Sequence, residues 1–499
     1  MQKTNTNKLR ENTINFLSFE WLSKYHLHLF FIIIISIISL KLDYLNIPLY
    51  WDETIYFVPA LFHKGLEVFT PSNYLLYEWH GHPPLFQLEH YFISNFFSNL
   101  TFSAHLTALI NFIFFLSSFY FVLLKNFSWK VAIFTVLSFL MYPHVIAQST
   151  MFHPNFLMIG AGLLSIQYYL DKKWDLYVLM TLICVLTRES AIAFSFVIFL
   201  HSIYHYKRYN FKFKDFKYIC FPIIVLFLFL AYNKCVDGHL FAHPYFKNRV
   251  KDGYSFLNFQ NHNYSTVWES LKDATWSTWS YPSIILIIIS FIFFIKKKTQ
   301  SLSLSDFDII FISTSLCFLA FYTLYADTIV RDLLFISVVF VTYNIYFFNT
   351  LFNRTIWVIL FTFFLFITST SYHHGVIGLD TSLRENRLKP KLLKEVGHFI
   401  TKRYSSKVTI GTGWPLYNLL RDPLYEYSNK KFETSFDREN QQVLVNTNLN
   451  AGFNKDYQVD SKIWKKVYSK KVKFQEVRYY NITIEVFEKR TLQKGLIND

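Results

Sequence analysis

Two adjacent carboxylates, Asp52 and Glu53, stand directly after the first long apolar stretch of the sequence. An ionised pair beside a bilayer is costly unless water or a partner group compensates the charges. Either the pair marks a solvated membrane boundary, with Trp51 and Tyr56 as interfacial anchors, or it supplies a general base or a metal-binding carboxylate to an interfacial cavity. The residue types alone leave both interpretations open.

Two histidines, His80 and His82, follow in the same loop and are closed by Pro83 and Pro84. Histidines at this spacing either bind a metal ion or orient a phosphate, or the segment is only a rigid entry into the next helix. Proline suits the first turn of a helix, which supports the second interpretation.

Arg188 and Glu189 separate two apolar runs. The guanidinium of Arg188 has two kinds of natural partner, a carboxylate such as Glu189 or Asp52, or a lipid phosphate. Arg331 offers the same choice near the start of a later run. Charges within membrane depth indicate a functional site by default. Asn155, which opens another apolar run, has the residue type of a helix N-cap.

The elements that position these residues are predicted to be membrane helices. The 499-residue chain is 52% hydrophobic and 17% charged, whereas soluble domains carry about 25% charged residues. Its apolar residues come in blocks, and a helix needs about 20 of them to cross a bilayer core, which predicts about eleven spans. The predicted spans are 28–46, 102–124, 131–148, 151–170, 175–187, 190–206, 217–235, 281–295, 308–325, 330–348 and 355–371.

The net charge of +15 is partly explained by the loops between these spans. Basic residues follow every even-numbered span, so the positive-inside rule predicts that these loops and the N-terminus are cytoplasmic. The loop 47–101 and the tail 372–499 then lie outside. Because basic residues at lipid boundaries have this topological explanation, no nucleic-acid partner is expected. The four cysteines form neither a disulfide framework nor a zinc pattern.

The polar tail predicts a small soluble α/β domain. Residues 391–404 have helical periodicity, and residues 407–410, 443–445 and 478–487 have the composition of strands. We therefore predict a transmembrane module at 1–371 and an exterior α/β domain at 372–499.

The Asp-Glu pair after the first span and the Gly-His-Pro-Pro-Leu segment at 81–85 resemble the polyprenyl-phosphate-sugar-dependent glycosyltransferases of the GT-C fold. Relatives of this family include protein O-mannosyltransferases and lipid A aminoarabinose transferases. The Thr-Arg-Glu segment at 187–189 is similar to a short turn of the same family. The resemblance covers most of residues 20–370 in layout, and the tail resembles the small exterior domain of many members.

The resemblance implies a single inverting displacement that moves a sugar from a polyprenyl-phosphate donor to a hydroxyl-type acceptor. Asp52 would be the general base, and Glu53 would support it or bind a polar sugar group. The donor phosphate and sugar would be held by His82, Arg188, Glu189 and Arg331. Positive charge should then matter most in the transition state, because a phosphate leaves.

The resemblance also implies a cellular location and binding partners. The chain would be an integral protein of a bacterial inner membrane, the donor lipid would be undecaprenyl phosphate, and the acceptor would be a glycan, a lipid or a protein. Members differ in whether they need a divalent metal ion, so that cofactor stays open. Several positions depart from the family pattern: Asn155 replaces an aspartate, His105 replaces an arginine, and Asp332 instead of a tyrosine follows Arg331.

Two other functions compete with this one. A transporter or flippase of lipid-linked sugars should show inverted repeats, and the sequence shows none. A membrane scaffold without activity would leave the grouping of Asp52, Glu53, His82 and Arg188 unexplained.

Overall fold

A computed structural model describes the chain in segments. They are residues 20–50, 53, 83–149, 151–204, 206, 215–237, 304–325, 333–352, 383–437, 440–449, 459–474, 480–492 and 494–497. These segments form a helical part, up to Phe352, and a C-terminal domain built around a sheet. The predicted spans 281–295 and 355–371 and the predicted boundary at 371 lie outside the described residues.

The helical part consists mainly of apolar helices. Their bounds are α1 Glu20–Lys41, α2 Leu85–Ser94, α3 Leu100–Asn126, α4 Trp129–Leu140, α5 Pro143–Gln148, α6 Asn155–Leu170, α7 Trp174–Thr187, α8 Ile192–Tyr204, α9 Phe216–Asp237, α10 Asp306–Tyr325 and α11 Leu334–Phe352. Within the described residues, three stretches are long and apolar enough to cross a membrane: Lys24–Tyr44, Leu100–Asn126 and Phe216–Cys235. The predicted architecture of a polytopic α-helical membrane protein is confirmed.

Local sequence explains where several helices begin and end. Asn99 caps α3 by accepting the N–H of Phe102, and Ser128 caps α4 by accepting the N–H of Val131. One span was predicted over 131–148, but the chain forms two helices there, because α4 ends at Leu140 and Pro143 starts α5. Proline is well suited to a first turn and has no N–H to continue a preceding helix.

Helix α6 lies at the centre of the bundle, packed against α3 and α7. Its contact with α8 depends on Gly162, since a Cβ atom at that position would lie 2.4 Å from the ring of Phe194. The stretch 175–206 was predicted as two spans, and the structure also divides it. Helix α7 ends at Thr187, and a single 3-10 turn, Glu189–Ala191, leads into α8.

The C-terminal domain contains helix α12 Leu383–Arg403 and a five-stranded sheet with a short helix, α13 Leu416–Leu419, between its first two strands. The strands are β1 Thr409–Gly411, β2 Glu433–Ser435, β3 Val443–Thr447, β4 Trp464–Phe474 and β5 Tyr480–Lys489. Their order is β2-β1-β3-β5-β4, with β1 parallel to β2 and β3, and β5 antiparallel to β3 and β4. The predicted α/β character is confirmed.

The core of this domain continues into the helical part. Leu393 of α12 and Val445 of β3 belong to the same buried apolar cluster as Tyr50, Phe86 and Phe152. The C-terminal domain is therefore packed against the helical part near the start of the loop that carries Asp52 and Glu53.

Candidate active site

The predicted site residues fall into two groups. Glu53, Arg188 and Glu189 belong to the part of the chain that the structure describes, whereas Asp52, His82 and Arg331 lie outside the described residues. The positions of the last three stay predictions.

Glu53 is buried, with 4% of its surface exposed. One carboxylate oxygen accepts the backbone N–H of Tyr50 at 2.8 Å, and the other accepts the backbone N–H of Phe152 at 2.6 Å. Backbone N–H groups bonded to a carboxylate favour its charged form. Glu53 thus ties the loop after α1 to the segment that precedes α6.

His105, in the first turns of α3, supports the same loop. Its Nε2 donates to the carbonyl oxygen of Ile47 at 2.9 Å, and its Nδ1 lies 3.9 Å from Glu53 Oε1. A carbonyl oxygen only accepts, so Nε2 carries a proton. His105 therefore places a basic ring beside Glu53.

Arg188 stands in extended backbone between α7 and the 3-10 turn. Its Nη1 donates to Oδ1 of Asn155 at 2.7 Å. Asn155 was predicted as an N-cap, but Pro154 occupies that position and Asn155 is the first residue of α6, with no side-chain cap. Its amide oxygen accepts from Arg188 instead. This hydrogen bond fixes the orientation of the guanidinium.

The segment 152–155 therefore contacts both Glu53 and Arg188. Phe152 donates to Glu53, and Asn155, three residues later, accepts from Arg188. Glu189 follows Arg188 directly and is 5% exposed at the start of the 3-10 turn. An acidic side chain is electrostatically favoured at such an N-terminus.

Glu89 was missed by the sequence interpretation. It lies on α2, in the loop between two predicted spans, and its Oε2 accepts from the side-chain amide of Asn111 at 2.9 Å. Burial raises the pKa of Glu89 to about 7, and the Asn111 contact opposes this shift. A carboxyl group that titrates near neutrality is suited to general acid or base work. The sequence feature that could have indicated Glu89 is the presence of an ionisable residue inside the apolar stretch that follows Pro83 and Pro84.

His90, the next residue, is fully buried. Its ring packs on Phe152 with 4.5 Å between centroids, and its Nδ1 lies 3.3 Å from the Thr107 hydroxyl. Burial, assisted by the nearby His105, lowers the pKa of His90 to about 3. His90 is therefore neutral at physiological pH and packs behind the segment that Glu53 holds.

A second missed residue is Lys41, the last residue of α1. It is 8% exposed, donates to the carbonyl oxygen of Ile146 at 3.1 Å, and lies 5.3 Å from the centroid of the Tyr44 ring. Lys41 therefore joins the end of α1 to α5.

The C-terminal domain closes over this region through two tyrosines. Tyr427 donates to the carbonyl oxygen of Leu49 at 2.7 Å, and Tyr50 donates to the carbonyl oxygen of Leu449 at 3.2 Å. Burial, with Tyr50 and Glu53 nearby, raises the pKa of Tyr427 well above its usual range. Its hydroxyl therefore remains a neutral donor, and the loop is held from both sides.

Across the described segments, no three side chains of the His, Cys, Asp and Glu types come together as a metal site. The divalent ion stays a prediction, because Asp52 and His82, the side chains proposed as ligands, lie outside those segments.

No protein-family model and no curated protein matches the chain. Solved structures do match. The crystal structure of ArnT from Cupriavidus metallidurans bound to undecaprenyl phosphate aligns with a TM-score of 0.52 and 10% identity, over 92% of this chain and 97% of that one. The apo structure of the same protein aligns with a TM-score of 0.51 and the same identity and coverage. ArnT is a lipid A aminoarabinose transferase of the GT-C fold. The resemblance stated from the sequence is thereby confirmed for the architecture: the chain has an ArnT-like GT-C fold.

Proposed function

We propose that the protein is a membrane glycosyltransferase that moves a sugar from a polyprenyl-phosphate donor to an acceptor hydroxyl. The observation that carries this proposal is the ArnT-like fold over 92% of the chain, since ArnT was crystallised with undecaprenyl phosphate. The convergence of Glu53 and Arg188 on the segment 152–155 supports it.

Asp52 acts as the general base in this proposal. It takes the proton of the acceptor hydroxyl as that oxygen bonds to the anomeric carbon of the donor sugar. The bond between the anomeric carbon and the phosphate oxygen breaks, and the polyprenyl phosphate leaves with the electron pair. Glu53 acts as a positioning residue, because its two oxygens hold the backbone N–H groups of Tyr50 and Phe152 and it directly follows Asp52 in the sequence.

Arg188 stabilises the departing phosphate. A guanidinium presents a rigid fork of donors that fits phosphate oxygens. Asn155 fixes the orientation of that fork through one nitrogen. His82 and Arg331 are proposed as additional phosphate contacts, and Glu189 as a contact to the donor sugar. Such preorganised charge is usually the largest contribution to catalysis of this kind.

The proposed location is a bacterial inner membrane, with the N-terminus in the cytoplasm and the C-terminal domain outside. Undecaprenyl phosphate is then the donor lipid, and the acceptor is a glycan, a lipid or a protein at the outer face.

The test is a transfer assay with purified protein and a lipid-linked sugar. Asp52→Asn should abolish transfer while the thermal unfolding midpoint stays at the wild-type value. Asp43→Asn, the same change at an exposed aspartate nine residues earlier, should keep full activity. Wild-type turnover by the Asp52→Asn variant would contradict the proposed base. Movement of the lipid-linked sugar across vesicles without any transfer would favour a transporter.

A further inference from the structure

A polar cavity lies at the end of the helical part opposite to the site around Glu53. Its volume is about 360 Å³, and it is bounded by the ends of α3, α6 and α8 and by the start of α10. Lys125, on its rim, is 20 residues further along α3 than His105, which corresponds to roughly 30 Å at about 1.5 Å per residue. The cavity is therefore separate from the site around Glu53, and it belongs to the end that the positive-inside rule predicts to be cytoplasmic.

A buried histidine, His201, lines this cavity and is held between two polar side chains. His201 is 7% exposed. Its Nδ1 lies 3.0 Å from the Tyr169 hydroxyl, and its Nε2 lies 3.6 Å from Oδ1 of Asp306. Buried polar side chains are normally held in such contacts, because an unsatisfied polar group in an apolar interior is costly. The ring is fixed in orientation at the bottom of an open polar cavity.

The rim carries two lysines. Lys125 pairs with Asp171, whose other oxygen accepts from the amide of Gln167 at 3.0 Å. Lys172 is exposed and has a backbone φ of 54°. This conformation belongs to the end of α6, where the N–H groups of Lys172 and Lys173 donate to the carbonyl oxygens of Tyr169 and Tyr168 in the common capping motif of a helix C-terminus. The cap places the Lys172 side chain among the residues that line the cavity.

We infer that this cavity binds a phosphate ester. The phosphate lies against the ammonium groups of Lys125 and Lys172, and a small hydroxyl-bearing remainder faces His201 and Asp306. At about 30 Å³ per water molecule, the cavity holds roughly a dozen waters, which is enough for a phosphoglycerol group. Basic pockets between membrane helices at a cytoplasmic face bind phospholipid head groups. The ester comes either from such a head group or from a soluble sugar or glycerol phosphate.

The experiment uses the full-length purified protein. Native mass spectrometry compares binding of phosphatidylglycerol with phosphatidylcholine, and calorimetry measures binding of glycerol 1-phosphate and inorganic phosphate. Lys172→Gln should weaken binding about fivefold, the effect expected for one lysine near a membrane surface. Lys173→Gln removes the same charge from the neighbouring exposed lysine, which does not line the cavity, and should leave binding unchanged.

A second variant separates the effect of losing the ammonium group from an effect of misfolding. Lys172→Gly also removes the ammonium group, but glycine adopts a positive φ without strain, so this variant should unfold no more easily than the wild type and should bind as weakly as Lys172→Gln. A preference for phosphatidylglycerol that depends on Lys172 identifies a lipid head group. Binding of glycerol 1-phosphate with the same dependence, without the lipid preference, identifies a soluble ester. Equal binding by the Lys172→Gln and Lys173→Gln variants, or no binding of any probe, overturns the inference.

Discussion

The hydroxyl of Tyr427 donates a 2.7 Å hydrogen bond to the carbonyl oxygen of Leu49, and these residues are 378 positions apart. Leu49 lies four residues before Glu53, so the C-terminal domain and the candidate site share one structural element. The position of Tyr427 is itself set by α12, because a Cβ atom on Gly397 would lie 2.2 Å from the Tyr427 carbonyl oxygen. The two parts of the chain therefore stabilise each other at this point.

Tyr427→Phe tests this connection. The change leaves the Leu49 carbonyl buried without its donor, which should cost about 1–3 kcal/mol and lower the thermal unfolding midpoint. Transfer should fall as well, because the loop before Asp52 is less firmly held. Tyr468→Phe is the control, since this part-exposed tyrosine lies on the edge strand β4 and packs on Phe399. An unchanged midpoint for Tyr427→Phe would show that the contact does not hold the two parts together.

Asn155→Ala tests the proposed role of Arg188. The change removes the oxygen that accepts from Nη1 of Arg188, so the guanidinium is less firmly oriented toward the donor phosphate. The donor KM should rise about tenfold, by the strength of a hydrogen bond to a charged group. Asn99→Ala, which removes the accepting amide at the start of α3, should leave the donor KM unchanged. An equal donor KM in the Asn155→Ala variant would contradict the proposed positioning of Arg188.

Glu89→Gln tests the titration of the buried carboxyl. The folded-state pKa of about 7 exceeds the ordinary value of 4.5, so between these values the folded protein binds more protons than the unfolded chain. The wild type should therefore lose stability relative to the variant as pH rises from about 4.5 to about 7, and the difference should level off above that. Thermal unfolding midpoints of both proteins, measured across this pH range, test whether the wild type loses stability relative to the variant as pH rises. A difference that does not change with pH would contradict the raised pKa.

Gly162→Ala tests the packing of α6 on α8. The added methyl group would lie 2.4 Å from the ring of Phe194, and such overpacking costs about 1–3 kcal/mol. The unfolding midpoint should fall accordingly. Gly495→Ala is the matched control, because nothing lies within 4 Å of a Cβ atom there. A Gly162→Ala variant as stable as the wild type would mean that Phe194 can move aside at little cost.

Much of the helical part was predictable because apolar blocks of membrane length have few alternative structures. The division near Arg188 and the strands that became β1, β3 and β5 were also predictable from composition. The edge strand β4 was not. It carries lysines at 465, 466, 470, 471 and 473, which lower its strand signal but suit an edge that must avoid pairing with other chains.

The site was less predictable, because its contacts join distant residues. Asn155 looked like a cap, yet it accepts from Arg188, 33 residues away. Glu53 bonds the N–H of Phe152, 99 residues away. Nothing in local sequence reports such pairings. Glu89 carried a local signal, an ionisable residue in an apolar stretch, but its raised pKa depends on burial that only the folded chain supplies.

The hydrogen bond between Tyr427 and Leu49 also has a consequence for biosynthesis. Ribosomes add about 5–20 residues per second, so roughly 20–75 seconds pass between synthesis of Leu49 and of its partner. During this interval the loop beside Asp52 lacks the domain that covers it. The candidate site is therefore completed among the last steps of folding, after most of the helices have been made.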